Sequence, residues 1–176
     1  MSEAEKRLHR CCFTGHRPNK LGMSEESIQE WLRKEIEKAI DDGYCTFLSG
    51  MCWGVDIIAA ELVLKERRKN PNIHLIAAIP HPDFEVRWRE DWQQRYHRIL
   101  HEADLTRTVC DKRSVHKPND SYQIRNEWMV NHSKRIICIY NGAPGGTRNT
   151  IEYALRMNLE IINIDDKAIS RLKGRR

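Results

Sequence analysis

The chain has 176 residues, the length of one globular domain able to bury its own core. Hydrophobic residues make up 40% and charged residues 31%; the apolar ones fall in dense periodic runs, which excludes whole-chain disorder. A net charge of +5 suits polyanionic ligands, from nucleotides to nucleic acid, without choosing among them, and no apolar run approaches the ~18 residues that would cross a membrane.

The opening residues, MSEAEKRLHR, carry no apolar leader, so a cytoplasmic location is expected. Residues 8–14 read as a short strand ending at Gly15. Ser24 then has the character of a helix N-cap, with Glu25 and Glu26 in the first turn, where the helix dipole favours anions. Ile28, Trp31, Leu32, Ile36, Ala39 and Ile40 follow at helical spacing, and Asp42-Gly43 supplies the stop. A strand at 45–48 runs through a glycine-bearing loop into a helix reaching about residue 68. Residues 73–79 are nearly all apolar, as in a strand covered on both faces. After Pro80-His81-Pro82 we expect a Trp-rich helix over 86–102, with Trp88 and Trp92 at i, i+4 as core or pocket wall. A weak strand at 105–109, a polar loop at 111–120, a helix at 122–132 and a strand at 135–140 come next. A last glycine-rich turn opens a helix to about 157, and a strand at 160–164 closes the series. The basic residues after it, 167–176, read as a solvated tail.

This alternation predicts an α/β fold: a three-layer, Rossmann-like, doubly wound, mainly parallel sheet in a single domain, with its core at about 8–166. Six cysteines without a CxxC pair read as reduced thiols, mostly buried as small hydrophobes.

Ligands of such sheets bind at the carboxyl ends of the strands, where strand order reverses. Three strand-to-helix turns carry the glycine and polar residues that such a site uses. In Thr14-Gly15-His16-Arg17-Pro18, Gly15 allows close backbone approach, while His16 and Arg17 add donors. In the run from Ser49 to Asp56, Ser49, Gly50 and Gly54 precede a helix whose first amides can hold an anion. Asp56 either binds a ribose hydroxyl or caps the helix. The run is not GxGxxG and lacks the later acidic residue of a dinucleotide fingerprint. In Pro144-Gly145-Gly146-Thr147 the same logic recurs, with Glu152 further along the helix.

Other candidates are weaker. His97 and His101 share one helix face but lack the Glu of HExxH and a third ligand, so neither a metal nor a cofactor is expected. There is no GxSxG elbow or Ser-His-Asp signature.

CCFTGHRP, SGMCWGVD, IPHPDFEVRW, the run from Arg125 to Val130 and GGTRNTIEYA together resemble the YpsA-like branch of the SLOG superfamily, over residues 10–165. The superfamily includes DprA/SMF proteins and LOG phosphoribohydrolases; the resemblance implies a Rossmann-like fold and, for many members, nucleotide or NAD-derived ligands bound as sensors. Ser49, Gly50, Gly54 and Asp56 resemble the SGxAxGxD turn of DprA proteins. Arg125 and Met129 match the Arg-Lys-x-x-Met segment of LOG enzymes. Pro144, Gly145, Gly146 and Glu152 match their PGGxGTxxE segment, which makes Arg125 and Glu152 the implied catalytic pair. Arg148 and Asn149 depart from that segment's Gly and Thr, which favours binding over turnover.

The expected function is a nucleotide-binding sensor or regulatory protein, its ligand a nucleoside phosphate or an NAD- or ADP-ribose-derived molecule. LOG-like cleavage of an N-glycosidic bond in a nucleoside 5′-monophosphate is the first alternative, and DprA-like single-stranded DNA binding the second. Nucleic acid is a partner the charge allows without favouring, a membrane is not expected, and a homo-oligomer is compatible with the sequence.

Overall fold

A computed structural model describes residues 1–110 and 120–175. Six strands form one sheet in the order β4-β3-β2-β1-β5-β6: β1 (Arg10–Gly15), β2 (Thr46–Ser49), β3 (His74–Ile79), β4 (Leu105–Thr108), β5 (Arg135–Ile139) and β6 (Glu160–Asn163). All five pairings are parallel. This is the Rossmann-like α/β fold. Its switch point lies between β1 and β5, where the chain leaves the β4 edge and resumes beside the first strand.

Side chains alternate across the sheet with the two-residue period of a strand. Phe13, Phe47, Leu75, Ala77, Ile137 and Ile139 face one core. Cys12, Leu48, Ile76, Ala78, Ile136 and Cys138 face the other. The first core is covered by α3 (Glu25–Asp41), α4 (Val55–Lys69) and α5 (Glu90–Glu102); the second by α6 (Asp120–Asn131), α7 (Gly146–Arg156) and α8 (Asp166–Lys173). Both faces are therefore dry, which is why β3 after His74 and β5 after Arg135 are continuous apolar runs.

The cap at Ser24 forms as its position suggests, its hydroxyl accepting from the Ser27 amide at 3.2 Å. Several boundaries differ from the sequence reading. Helix α5 begins at Glu90, so Trp88 precedes it; both Trp88 and Trp92 still pack with the core, Trp88 edge-on against Phe84 and Tyr96. The polar loop expected at 111–120 lies outside the described residues except for Asp120, which opens α6. Two further helices appear at the N-terminal end, α1 (Glu3–Leu8) and α2 (Pro18–Leu21). The basic C-terminal stretch, expected as a solvated tail, forms α8 and buries Ala168, Ile169 and Leu172. All six cysteines are free; Cys11, Cys12 and Cys138 are buried. Among the described residues no helix is long and apolar enough to cross a membrane.

Candidate functional site

The strand ends around the switch point open into a cleft of about 1050 Å³. The β1 turn lines one side. Gly15 is required there by packing: a Cβ would lie 2.6 Å from Cγ2 of Val55, the first residue of α4. Removing that Cβ lets the α4 N-terminus seat directly against β1. His16 follows, its amide donating to the Ile139 carbonyl at 3.0 Å and its ring tilted against Tyr140. Burial and the charge of Lys20 push the His16 imidazole below its ordinary pKa, and its Nε2 has no hydrogen-bond partner among the described residues. Arg17 N-caps α2 by position and lays its guanidinium over the Trp53 ring, 4.6 Å from the centroid. Both residues line the cleft.

The second turn builds the floor differently from the sequence expectation. The Ser49 side chain is fully buried; its hydroxyl donates to the Asp56 carbonyl at 2.8 Å and accepts from the Met51 amide at 3.1 Å. It shapes the turn instead of facing a ligand. Gly54 adopts φ +101° at the start of α4, with a Cβ position 2.6 Å from Pro18 Cδ, so it too is structural. Gly50 lies beneath two charged groups. Its Cβ position is 2.8 Å from Asp56 Oδ2 and 2.9 Å from the Arg125 guanidinium carbon, and its carbonyl accepts from Arg125 Nη1. Ser49, Gly50 and Gly54 are thus not cleft-lining, whereas Asp56 and Arg125 are.

Arg125 is 3% exposed, with Nη1 also 3.4 Å from the Ala78 carbonyl and Nε donating to Asn126 Oδ1 at 2.8 Å. Asp56 accepts the Cys52 amide at 3.3 Å. Desolvation raises its carboxyl from 3.8 to about 6 despite the opposing pull of Arg125.

The third turn closes the opposite side. Gly145, at φ +136°, sits at the N-cap of α7 with no side-chain cap hydrogen bond. The first intrahelical amide contact is Asn149 to the Gly145 carbonyl, so Gly146, Thr147 and Arg148 begin the helix with amides not used by its ladder. Gly146 and Thr147 line the cleft, and open space surrounds the Cβ position of Gly146. Glu152 lines it as well, one turn beyond Arg148, whose Nε donates to Glu152 Oε1 at 2.9 Å. Arg148 itself is outside the lining, while Asn149 is within it.

Sequence reasoning missed Lys20, Trp53, Tyr122, Gln123, Asn126 and Arg156, all of which line the cleft. Asn126 stands beside Arg125, and Trp53 within the 49–56 run, in motifs already singled out; the others depend on which face of α2, α6 and α7 turns inward, which local spacing does not reveal. His97 is 3.7 Å from Glu85, away from the cleft. Among the described residues no group of three or more His, Cys, Asp or Glu is placed to hold a metal ion.

With this geometry in view, comparison with known proteins places the chain. The family model YpsA, described as the YspA SLOG family, matches residues 11–172. The chain belongs to this family. The match runs into α8, so the helical tail falls within the family's span. The SPbeta prophage-derived protein YoqJ of Bacillus subtilis is 35% identical over 121 residues, 64% of this chain and 71% of that protein. UPF0398 protein BH1768 of Halalkalibacterium halodurans is 28% identical over 149 residues, 81% and 78% of the two chains. Among solved structures, DNA processing protein A of Helicobacter pylori, described for its single-stranded DNA binding mode, superposes with TM-score 0.65 at 16% identity. That match covers 98% of this chain and 74% of that one. At that identity the likeness concerns the fold.

Proposed function

We propose that this YpsA-family protein binds a small nucleotide in the switch-point cleft, as a sensor or regulatory protein. The observation that carries the reading is the uncapped N-terminus of α7, whose Gly146 and Thr147 line the same cleft as the first residues of α4. Helix N-termini favour phosphate through their unused amides and their dipole. Arg17, Lys20 and Arg156 supply positive charge around the opening, and Trp53 and Tyr122 supply faces on which a base can stack. The SLOG resemblance supports a nucleoside phosphate or an NAD- or ADP-ribose-derived ligand.

Thermal unfolding with AMP, ADP-ribose, NAD and cyclic nucleotides tests this. A ligand at 100 times its Kd adds about 2.7 kcal/mol, which for a chain of this size raises Tm by roughly 5–10 °C. No shift with any of the four classes overturns the reading.

Hydrolysis of an N-glycosidic bond is a second reading, supported by Arg125 and Glu152 lining one cleft. In it Glu152 stabilises the developing oxocarbenium charge and orients water, while Arg125 holds the substrate. The Arg148–Glu152 ion pair opposes it by compensating the carboxylate that the reaction needs. Release of free base from a nucleoside monophosphate, abolished in Glu152→Gln, would establish turnover; no release supports binding alone. Single-stranded DNA binding draws support from the likeness in fold to DNA processing protein A, but Asp56, Asp120 and Glu152 in the lining disfavour a polyanionic strand.

A further inference from the structure

We propose that the cleft floor reads the 2′,3′-diol of a ribose, so that the protein takes ribonucleotides in preference to 2′-deoxyribonucleotides. The inference deepens the nucleotide reading above and rests on it. It is carried by the pair of opposite charges set side by side over Gly50. Asp56 Oδ2 and the Arg125 guanidinium carbon approach the same point, the Cβ position of residue 50, at 2.8 and 2.9 Å. Both side chains are more than nine-tenths buried, both line the cleft, and yet no ion pair or hydrogen bond joins them.

Each is also incompletely used. Arg125 spends Nε on Asn126 and Nη1 on the Gly50 and Ala78 carbonyls, and among the described residues its Nη2 makes no hydrogen bond. Among the described residues Asp56 accepts one amide, on Oδ2, and its Oδ1 accepts none. A buried carboxylate only accepts and a guanidinium only donates, so a group that completes both must do both. A phosphate or carboxylate is repelled by Asp56, and an ammonium by Arg125. A hydroxyl fits: its proton goes to the carboxylate while its oxygen takes the Nη2 hydrogen. A vicinal diol offers two such hydroxyls to the two carboxylate oxygens.

With the phosphate held at the α7 amides, the neutral part of the ligand nearest that phosphate is the sugar. Absence of a Cβ at residue 50 is what lets the two charges come this close to each other, and it gives Gly50 a role although it does not face the ligand. The dinucleotide-binding Rossmann fold also uses an acid for the ribose, but at the end of the second strand. Here that place holds Ser49, and the acid stands at the second position of α4.

The test is calorimetric titration of the full chain at pH 7.5 with AMP, GMP, CMP and UMP and their four 2′-deoxy counterparts, repeated on Asp56→Asn. A hydrogen bond to a charged group is worth enough that losing it weakens binding about tenfold or more. The best ribonucleotide is therefore expected to bind at least about tenfold more tightly than its deoxy form. In Asp56→Asn that ratio shrinks at least about threefold, since a neutral acceptor holds the hydroxyl more weakly. Equal binding of both series, or a ratio unchanged in Asp56→Asn, overturns the diol inference while leaving nucleotide binding intact. Absence of binding by all eight compounds overturns the nucleotide reading, and this inference with it. Should Asp56→Asn fail to fold, the wild-type ratio alone decides.

Discussion

At the scale of single residues, the cleft is built by groups that oppose stability, and the opposition can be measured. Asp56 carries its charge in a buried position that raises its carboxyl from 3.8 to about 6. Between these values the folded chain holds a proton that the unfolded chain has released, so stability falls as pH rises through that window. Below about pH 4 the penalty is absent, and above pH 6 it is complete, at roughly 1–3 kcal/mol for a shift of this size. Asp56→Asn keeps the shape of the protonated carboxyl and is expected to unfold at higher urea than the parent at pH 7.5, with the two converging toward pH 4.5. A parent that is more stable than the variant at pH 7.5 would mean that Arg125 compensates the charge fully. The glycines divide in the same way. Gly15→Ala drives a methyl into Val55 and is expected to cost about 1–3 kcal/mol through overpacking. Gly146→Ala meets nothing within 4 Å; it should leave stability within about 1 kcal/mol while crowding the amides offered to a phosphate. Urea midpoints of the two variants, read beside their nucleotide-induced Tm shifts, separate a packing glycine from a binding one.

At the scale of elements, most of the architecture was legible because each segment obeyed one period. The α3 stripe through Ile28, Leu32, Ile36 and Ala39 lands on the core as its spacing requires, and β3 and β5, apolar beyond their first residues, lie inside a sheet covered on both sides. What escaped had its signal overlaid by another. Ser2 and Glu5 form a reciprocal capping box for α1, but the short charged segment behind it has no apolar face to mark a helix. Ala168, Ile169 and Leu172 are spaced to bury one face of α8, yet the basic residues between and after them dominate the composition. Trp88 shares the i, i+4 spacing of a helix with Trp92, but the 80–89 segment is held instead by the ring cluster around Phe84. The α8 finding has a direct consequence. Leu172→Ala should destabilise the protein by about 2 kcal/mol, the low end of a core Leu truncation for a site at the sheet's margin. Arg171→Ala on the exposed face should stay within about 0.5 kcal/mol. Equal, negligible effects on the urea midpoint would return the segment to the status of a tail.

At the scale of the whole molecule, strand order decides what the site is made of. Gly15, Asp56 and Gly146 are far apart in the chain, and the placement of β5 beside β1 instead of β4 brings their turns to one cleft. That step is a property of the crossover, which local periodicity does not encode; hence the glycines could be named from sequence while Trp53, Tyr122 and Arg156 could not. The same assembly sets the charge of the site. The net +5 belongs to the chain, but within the cleft, among the described residues, four cations (Arg17, Lys20, Arg125 and Arg156) are opposed by three carboxylates (Asp56, Asp120 and Glu152). A compact phosphate can sit at the α7 amides within a site of such mixed charge, whereas a strand must lay several phosphates across the acidic groups. Each phosphate neutralised on a single strand steepens the salt dependence of log K by about 0.7. Fluorescent dT12 is therefore expected to show at most weak binding at 20 mM salt and none at 150 mM, unchanged by saturating AMP, because its contacts are with dispersed surface charge. Tight dT12 binding at 150 mM that AMP displaces would make the cleft a nucleic-acid interface, its carboxylates no barrier to a polyanionic strand.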